Sequence, residues 1–212
     1  MSNIHNVLYD KEEILWEGKP EKAPYMVGAF FSSIPLFLFG IPFAAIPLFM
    51  HVMSNGSPMS WMIFVMPHFW VGLGLMFGPI ISAVLSYPRI NYAITNRRVM
   101  IESGVFNYNI KTIDNDQISN ATVNVSIVDG WYGGTTGTIM LSEGLANIMY
   151  VRTASAMSRL DCLLHIKDPY TVFKFFGKLE VDTKTDMQYP NALRPSSNPG
   201  YQTTIDDKFP KQ

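Results

Sequence analysis

Residues 23–88 contain no Asp, Glu, Lys or Arg, although 16 basic and 17 acidic residues lie elsewhere in the chain. A lipid core about 30 Å thick is spanned by roughly 20 apolar residues in a helix, so this stretch is long enough for two spans. A cluster of loop-forming residues at 54–58, Ser-Asn-Gly-Ser-Pro, separates the two halves. The sequence therefore predicts a two-helix transmembrane hairpin over residues 23–88, with spans at 25–53 and 59–87.

Positive charge flanks this stretch on both sides and is absent from its central loop. The basic residues on the two flanks include Lys11, Lys19, Lys22, Arg89, Arg97 and Arg98. Because Lys and Arg are enriched in cytoplasmic loops, both termini are expected in the cytoplasm. The protein is expected to be a multi-pass protein of the inner (plasma) membrane, with residues 1–22 as its cytoplasmic N-terminal segment.

Prolines complicate the two predicted spans. They are Pro35, Pro42, Pro47, Pro67 and Pro79. A proline inside a helix removes a backbone hydrogen bond and bends the axis, although membrane helices tolerate it. The stretch is expected either to cross the bilayer as two kinked helices or to form a re-entrant hairpin within one leaflet. Both arrangements leave the termini on the same side.

Residues 89–181 have a different composition, with short runs rich in Val, Ile, Thr and Tyr between turn signals. The runs predict seven strands, at residues 90–94, 98–101, 105–113, 118–128, 138–141, 148–153 and 160–166. Asp129-Gly130 and Gly133-Gly134 are dipeptides typical of hairpin turns.

A helix is predicted after the last strand. Asp168 is a suitable N-cap, and Pro169 favours the first helical position. Apolar side chains then recur on one face at spacings of three and four residues, at Val172, Phe173, Phe176 and Leu179. The helix is expected to end near Val181 and to pack its phenylalanine rings on the strands. Residues 182–212 contain four prolines and little apolar periodicity, which predicts a disordered tail.

Several short segments occur in an order that is typical of one family. Residues 13–20, Glu-Ile-Leu-Trp-Glu-Gly-Lys-Pro, form an acidic-Trp-Gly-Pro motif before the first span. Residues 92–98 match the pattern Tyr-x-(Ile/Leu)-Thr-x-x-Arg, and Gly104 follows at a turn. The segment 113–118 and the glycine-containing stretch 133–139 complete the order. Together these segments resemble the bacterial pleckstrin-homology (PH-like) family of membrane proteins, over about residues 10–180.

The resemblance implies an α+β membrane protein. Its two-helix transmembrane hairpin is followed, in residues 89–181, by a PH-like seven-stranded β-sandwich or barrel with a C-terminal capping helix. The resemblance does not imply one activity, since many members have no known ligand and some act as scaffolds or assembly factors. The function therefore depends on the residues of this chain.

Two motifs resemble catalytic sites, but each has a simpler explanation. Asp114-Asn115-Asp116 has the carboxylate spacing of a metal–nucleotide motif, yet no further oxygen ligands are recognisable nearby, which favours a polar turn. Residues 133–137, Gly-Gly-Thr-Thr-Gly, lack the Gly-Lys-Ser/Thr ending of a P-loop, which favours a hairpin turn. No nucleophile–base arrangement is evident in the sequence. The chain is therefore expected to be non-enzymatic and to bind no metal or cofactor.

Cys162 and His68 are the single residues most open to a chemical role. Cys162 is the only cysteine and lies in an apolar strand, so a buried small side chain is favoured over a catalytic or palmitoylated one. His68 lies roughly 12 Å into the second predicted span, and an ionisable group at that depth is by default a functional hypothesis. A buried neutral imidazole, hydrogen-bonded across the hairpin, is favoured over a metal or haem ligand.

Small residues form a stripe on each predicted span. Gly74, Gly78 and Ser82 recur at four-residue spacing on the second span, and Gly40 and Ala44 do so on the first. Such stripes allow helices to approach closely. They indicate either packing of the hairpin on itself or contact with a partner helix.

Arg89, Arg97 and Arg98 are expected to cluster at the cytoplasmic end of the hairpin. Basic residues at this position attract anionic lipid, so the three form a candidate site for a lipid headgroup or a partner. The alternative is that they only set the topology. The formal net charge of −1 does not indicate nucleic-acid binding.

The absence of a catalytic arrangement in the sequence favours a membrane-anchored PH-like scaffold or assembly module. Its partner would be another membrane protein or a second copy of the chain. The alternative is an anionic-lipid-binding module at the cytoplasmic membrane surface, which would need a basic pocket.

Overall fold

The computed structural model describes residues 3–10, 12–55, 57–118, 121–141, 161–190, 193 and 195–197. Two long helices near the N-terminus are followed by antiparallel sheets and a C-terminal helix. The strand predicted at 148–153 and most of the tail predicted at 182–212 lie outside the described residues.

Two helices of the hairpin are long and apolar enough to cross a membrane. The first, α1 (Lys22–Met53), continues through its three internal prolines without a break. A 3-10 turn (Pro58–Trp61) and the short helix α2 (Met62–Val65) connect it to α3 (Pro67–Ser86). The long helix α3 begins later than the predicted position 59. The reason is that Met66 is extended and Pro67 takes the first helical position, where its missing N–H is not needed.

The two long helices are in backbone contact. A Cβ added to Gly40 would lie 2.8 Å from the carbonyl oxygen of Gly72, and one added to Gly72 would lie 2.7 Å from the amide nitrogen of Ala44. Since real Cβ atoms do not come so close, a larger residue at either glycine would push the helices apart. Gly40 and Ala44 therefore pack the hairpin on itself, with Gly72 as their partner.

The first sheet has the strand order β1-β2-β3-β4, with antiparallel neighbours throughout. Its strands are β1 (Ile14–Gly18), β2 (Asn91–Thr95), β3 (Arg98–Ser103) and β4 (Asn109–Asp114). Because Trp16 of β1 pairs with Ile94 of β2, the hairpin is inserted between two neighbouring strands. Residues 1–22, predicted as a separate segment, therefore supply an edge strand of the folded unit.

The second sheet contains β5 (Thr122–Asn124), β6 (Thr136–Met140) and β7 (Cys162–Lys167), in that order. The seven described strands form two sheets and do not close into the barrel that was one of the predicted forms.

A short helix, α4 (Ile127–Trp131), connects β5 to β6 where the sequence pattern predicts the end of a strand and a hairpin turn. The Ser126 and Asp129 side chains form a capping box that satisfies backbone N–H groups at the start of the helix. This local hydrogen bonding places Asp129-Gly130 in a helix rather than in a hairpin turn.

The C-terminal helix α5 (Pro169–Gln188) covers the sheets, as predicted. Its apolar face contributes to the main core of the molecule. Val172, Phe176 and Leu179 are buried there, and Phe173 packs against the same cluster.

Helix α5 extends past its predicted end at Val181, because the next turn is also packed. Asp182 and Thr183 are buried, and Lys184 Nζ donates a hydrogen bond to the carbonyl oxygen of Ile118 at 3.3 Å. Residues 182–188 are therefore helical and are not part of a disordered tail.

Candidate functional site at the base of the hairpin

The fold separates the three arginines that were predicted to form one basic site. Arg89 Nη1 donates hydrogen bonds to the carbonyl oxygens of Leu85, at 3.2 Å, and of Val105. The guanidinium of Arg89 also lies 6.0 Å from the centre of the Tyr108 ring. Arg97 is exposed in the turn at the far end of β2. At about 3.3 Å per residue, this strand alone separates Arg89 from Arg97 by roughly 15 Å.

Arg98 is buried in a bidentate ion pair with Glu12. Its Nε and Nη2 atoms donate to the two carboxylate oxygens at 2.9 Å, and the side chains of Arg98 and Glu12 are only 7% and 0% exposed. The Thr95 hydroxyl and the Tyr9 amide also donate to this carboxylate, at 2.8 and 2.9 Å. Burial raises the pKa of Glu12. The hydrogen bonds lower it by more than burial raises it, so the pKa lies below its ordinary value. The structure therefore gives Arg98 a structural role and shields it from a lipid headgroup.

The Tyr-x-Ile-Thr-x-x-Arg motif holds the folded unit together. Thr95 and Arg98 bind Glu12 of the N-terminal segment. The Tyr92 hydroxyl accepts a hydrogen bond from the Leu164 amide at 3.2 Å, which joins the two sheets. The motif can be recognised in the sequence. Glu12 lies one residue before the acidic-Trp-Gly-Pro segment, and the sequence does not identify it as the partner of the motif.

A cavity of about 440 Å³ lies between α1 and the second sheet, and we call it the junction cavity. Its walls include Gly28, Phe31, Pro35, Ser126, Thr138 and His165. The Glu21 amide donates to the carbonyl oxygen of His165 at 2.8 Å, which ties the start of α1 to β7. A Cβ added to Gly28 would lie 3.1 Å from His165 Nε2, so a larger residue there would require the imidazole to shift by a few tenths of an ångström. The sequence pattern does not reveal this cavity.

Asp129 and His165 form a largely buried pair beside the junction cavity. Asp129 Oδ1 lies 2.7 Å from His165 Nδ1 and accepts a hydrogen bond from the Thr136 hydroxyl at 2.8 Å. Asp129 Oδ2 accepts a hydrogen bond from the Ser126 hydroxyl at 2.6 Å. Burial raises the pKa of Asp129, but the contacts with His165, Ser126 and Thr136 lower it far below its ordinary value. The carboxylate is therefore ionised at neutral pH.

This pair differs from a catalytic triad in the position of its serine. The Ser126 hydroxyl donates to Asp129 and is not the partner of His165, so the imidazole does not activate it as a nucleophile. Within the described residues, no group of three or more His, Cys, Asp or Glu side chains could hold a metal ion. The pair instead fixes α4 against β7. The Ser126-x-x-Asp129 spacing of a capping box is the sequence signal that points to it.

The small-residue stripe predicted on the second span takes no part in the close contact between the helices. Apart from its chain neighbours and the adjacent backbone of α3, a Cβ added to Gly74 or Gly78 meets no atom of the described residues within 4 Å. The Ser82 hydroxyl donates within α3, to the carbonyl oxygen of Pro79 at 2.8 Å. Helix α3 therefore meets α1 through Gly72 and leaves this stripe on another face.

His68 is exposed in the first turn of α3, beside an apolar groove lined by Pro42, Phe43, Ile46 and Pro47. Its predicted burial is wrong because α3 begins only one residue before it. Cys162 is buried, as predicted, and burial raises the pKa of its thiol to about 12. The thiol is therefore protonated and unreactive at neutral pH.

The two motifs that resemble catalytic sites both lie in turns. Asp114 ends β4 and is followed by a turn at Asn115 and Asp116, as predicted. Gly133 and Gly134 have φ values of 77° and 66° in the turn from α4 to β6, a conformation that favours glycine. This turn connects a helix to a strand and is not the predicted hairpin turn.

The sequence model of the bacterial PH domain family matches residues 36–162, which is more than half of the chain. The chain therefore belongs to the bacterial PH domain family, and the resemblance found in its motifs is confirmed. The match begins within α1 and ends at the first residue of β7. No curated protein and no solved structure has a significant match to this chain.

Proposed function

We propose that this chain is a membrane-anchored, non-enzymatic PH-like scaffold that binds a membrane protein partner or a second copy of itself. The anchor is the hairpin of α1 and α3. Only 11% and 17% of the most apolar windows of these helices are buried within the chain. A core helix of a soluble protein is mostly buried, so this exposed apolar surface favours lipid as the environment. The distribution of Lys and Arg favours an inner-membrane protein with cytoplasmic termini.

The observation that carries the scaffold proposal is the open small-residue face of α3. Gly74 and Gly78 are left uncovered by the described residues, while Gly72 packs against α1. Lipid tails are as apolar as the helices, so helix association in a membrane depends on close packing of small residues. A helix from another chain could therefore pack on Gly74 and Gly78 without disturbing the hairpin.

The edge of the first sheet supports the same proposal. β4 is the last strand of this sheet and pairs only with β3 among the described strands. The unpaired backbone groups of an edge strand can add a strand from a partner chain. The cytoplasmic unit thus offers a second surface for assembly.

The anionic-lipid-binding alternative has weaker support. Of its three candidate residues, Arg98 is buried and Arg89 is bound to backbone carbonyl groups. Arg97 is exposed but lies at the far end of β2. These positions do not make a shared basic pocket.

The experiment compares the assembly size of variants of the full-length chain in nanodiscs and by crosslinking in native membranes. Gly78→Leu should reduce association, because a large side chain blocks the open face of α3. Val84→Leu is the control, since Val84 is exposed and lies about 120° around the helix from the half-buried Gly78. A wild-type monomer that crosslinks to no partner in native membranes would contradict the scaffold proposal.

A further inference from the structure

Helix α4 presents exposed apolar side chains beside the hairpin. Ile127 and Trp131 are 79% and 64% exposed, and Tyr132, which directly follows the helix, is 41% exposed. The ring of Trp131 lies 5.6 Å from the ring of Phe31 on α1. These three side chains, which we call the α4 patch, therefore continue the apolar surface of the hairpin.

The charged residue of α4 is directed away from the α4 patch. Asp129 is fully buried and is held by Ser126, Thr136 and His165. The outer face of the helix is consequently uncharged, and the buried contacts of Asp129 keep it in that orientation. An exposed apolar surface that is built in this way indicates an interaction site.

The packing of α1 places the α4 patch close to the expected bilayer surface. The first turns of α1 contain four buried residues, Pro24, Tyr25, Ala29 and Ser33. Residues 36–53 remain beyond the junction cavity, and at about 1.5 Å per residue they span roughly 27 Å. This length is close to the roughly 30 Å of a lipid core, so the core begins near Pro35. Phe31 then lies about 6 Å to the cytoplasmic side, at the depth of the lipid headgroups.

We propose that the α4 patch inserts into the interfacial layer of the same bilayer that holds the hairpin. This inference rests on the proposed membrane anchor and adds a lipid contact made by the PH-like unit itself. Trp131 and Tyr132 suit this layer because each combines an apolar ring with a polar group. The contact holds the sheets in one orientation on the membrane. In that orientation the junction cavity lies directly beneath the lipid surface.

The test measures quenching of an environment-sensitive fluorophore by nitroxide-labelled lipids in nanodiscs. The full-length chain carries Cys162→Ala and a single labelled cysteine, introduced as Ile127→Cys or, independently, as Tyr132→Cys. Phe39→Cys, at an exposed position of α1, is the positive control for the anchor. Arg97→Cys, in the exposed turn at the far end of β2, is the negative control.

Quenching by the labelled lipids at positions 127 and 132, with quenching at Phe39→Cys and none at position 97, supports the proposal. Quenching at Phe39→Cys alone overturns it and leaves the membrane anchor intact. Absence of quenching at Phe39→Cys overturns the anchor together with the α4 contact. A fourth outcome is that positions 127 and 132 are protected from a soluble quencher but are not quenched by the labelled lipids. This result also overturns the proposal, because a protein rather than lipid would then cover the α4 patch.

Discussion

Replacing Arg98 should strongly destabilise the PH-like unit, which consists of the two sheets and α5. Arg98→Met keeps most of the aliphatic side chain but deletes two hydrogen bonds of 2.9 Å to Glu12 and one of 2.8 Å to the carbonyl oxygen of Val7. The Glu12 carboxylate then stays buried without a counter-charge. Removing one partner of a buried ion pair costs about 3–5 kcal/mol. A typical domain has a free energy of unfolding of about 5–15 kcal/mol, so this change removes a large part of it.

Two control variants separate the buried pair from a general effect of charge. The double variant Glu12→Gln/Arg98→Met removes both charges. The side-chain amide oxygen of the new glutamine at position 12 can still accept hydrogen bonds from Thr95 and Tyr9. We expect it to recover at least about half of the lost free energy of unfolding. Arg97→Met removes a neighbouring exposed charge and should change this free energy by less than about 0.5 kcal/mol.

The assay is urea titration with pulse proteolysis of the full-length chain in nanodiscs, following cleavage of the PH-like unit. A loss below about 1 kcal/mol for Arg98→Met is what an exposed ion pair would produce. That result would refute the argument that the buried pair holds the N-terminal segment to the sheet.

The contribution of Glu12 should also depend on pH. Its pKa is lower in the folded protein than its ordinary value near 4.3, so its ionised form stabilises the fold above that pH. The stabilisation is lost as the pH falls through the lower folded-state pKa. The difference in free energy of unfolding between wild type and Glu12→Gln should therefore shrink on acidification, and a constant difference would contradict this account.

Three further outcomes can be measured on the same protein. Phe176→Ala should cost about 3–5 kcal/mol of unfolding free energy, because its ring is 1% exposed in the main core, and Phe173→Ala should cost less in the same titration. Asp129→Asn should lower stability at neutral pH. Because the pKa of Asp129 is lowered in the folded state, the difference from wild type should narrow as the pH falls below about 4. In a Cys162→Ala background, a membrane-impermeant thiol reagent should label Asn55→Cys but not Ser196→Cys in intact cells, and labelling at position 196 without permeabilisation would reverse the proposed topology.

Features encoded in neighbouring residues could be predicted from the sequence. The uncharged stretch 23–88 predicts two apolar helices, and the spacing of Val172, Phe176 and Leu179 predicts the capping helix. Membership of the bacterial PH domain family likewise follows from short contiguous motifs. Each of these signals depends on composition, spacing or local order, so no long-range contact is needed to recognise it.

The candidate site was less predictable, because its parts come from distant positions. Gly28 on α1, Asp129 on α4 and His165 on β7 meet only when the hairpin packs on the second sheet. The capping-box spacing at Ser126 indicates a helix, but it does not indicate that Asp129 also binds an imidazole 36 residues away.

Local composition and spacing in the sequence predicted the apolar helices of the hairpin and the start of α5, whereas the tertiary structure decided which side chains meet. Arg97 and Arg98 are adjacent, yet only Arg98 is buried, because the pairing of β1 with β2 brings Glu12 to it from 86 residues away. Similarly, Gly72 rather than Gly78 contacts α1. A pattern of small residues shows that a helix can be approached closely, but the rotation of the helix about its axis depends on the packing of its neighbours.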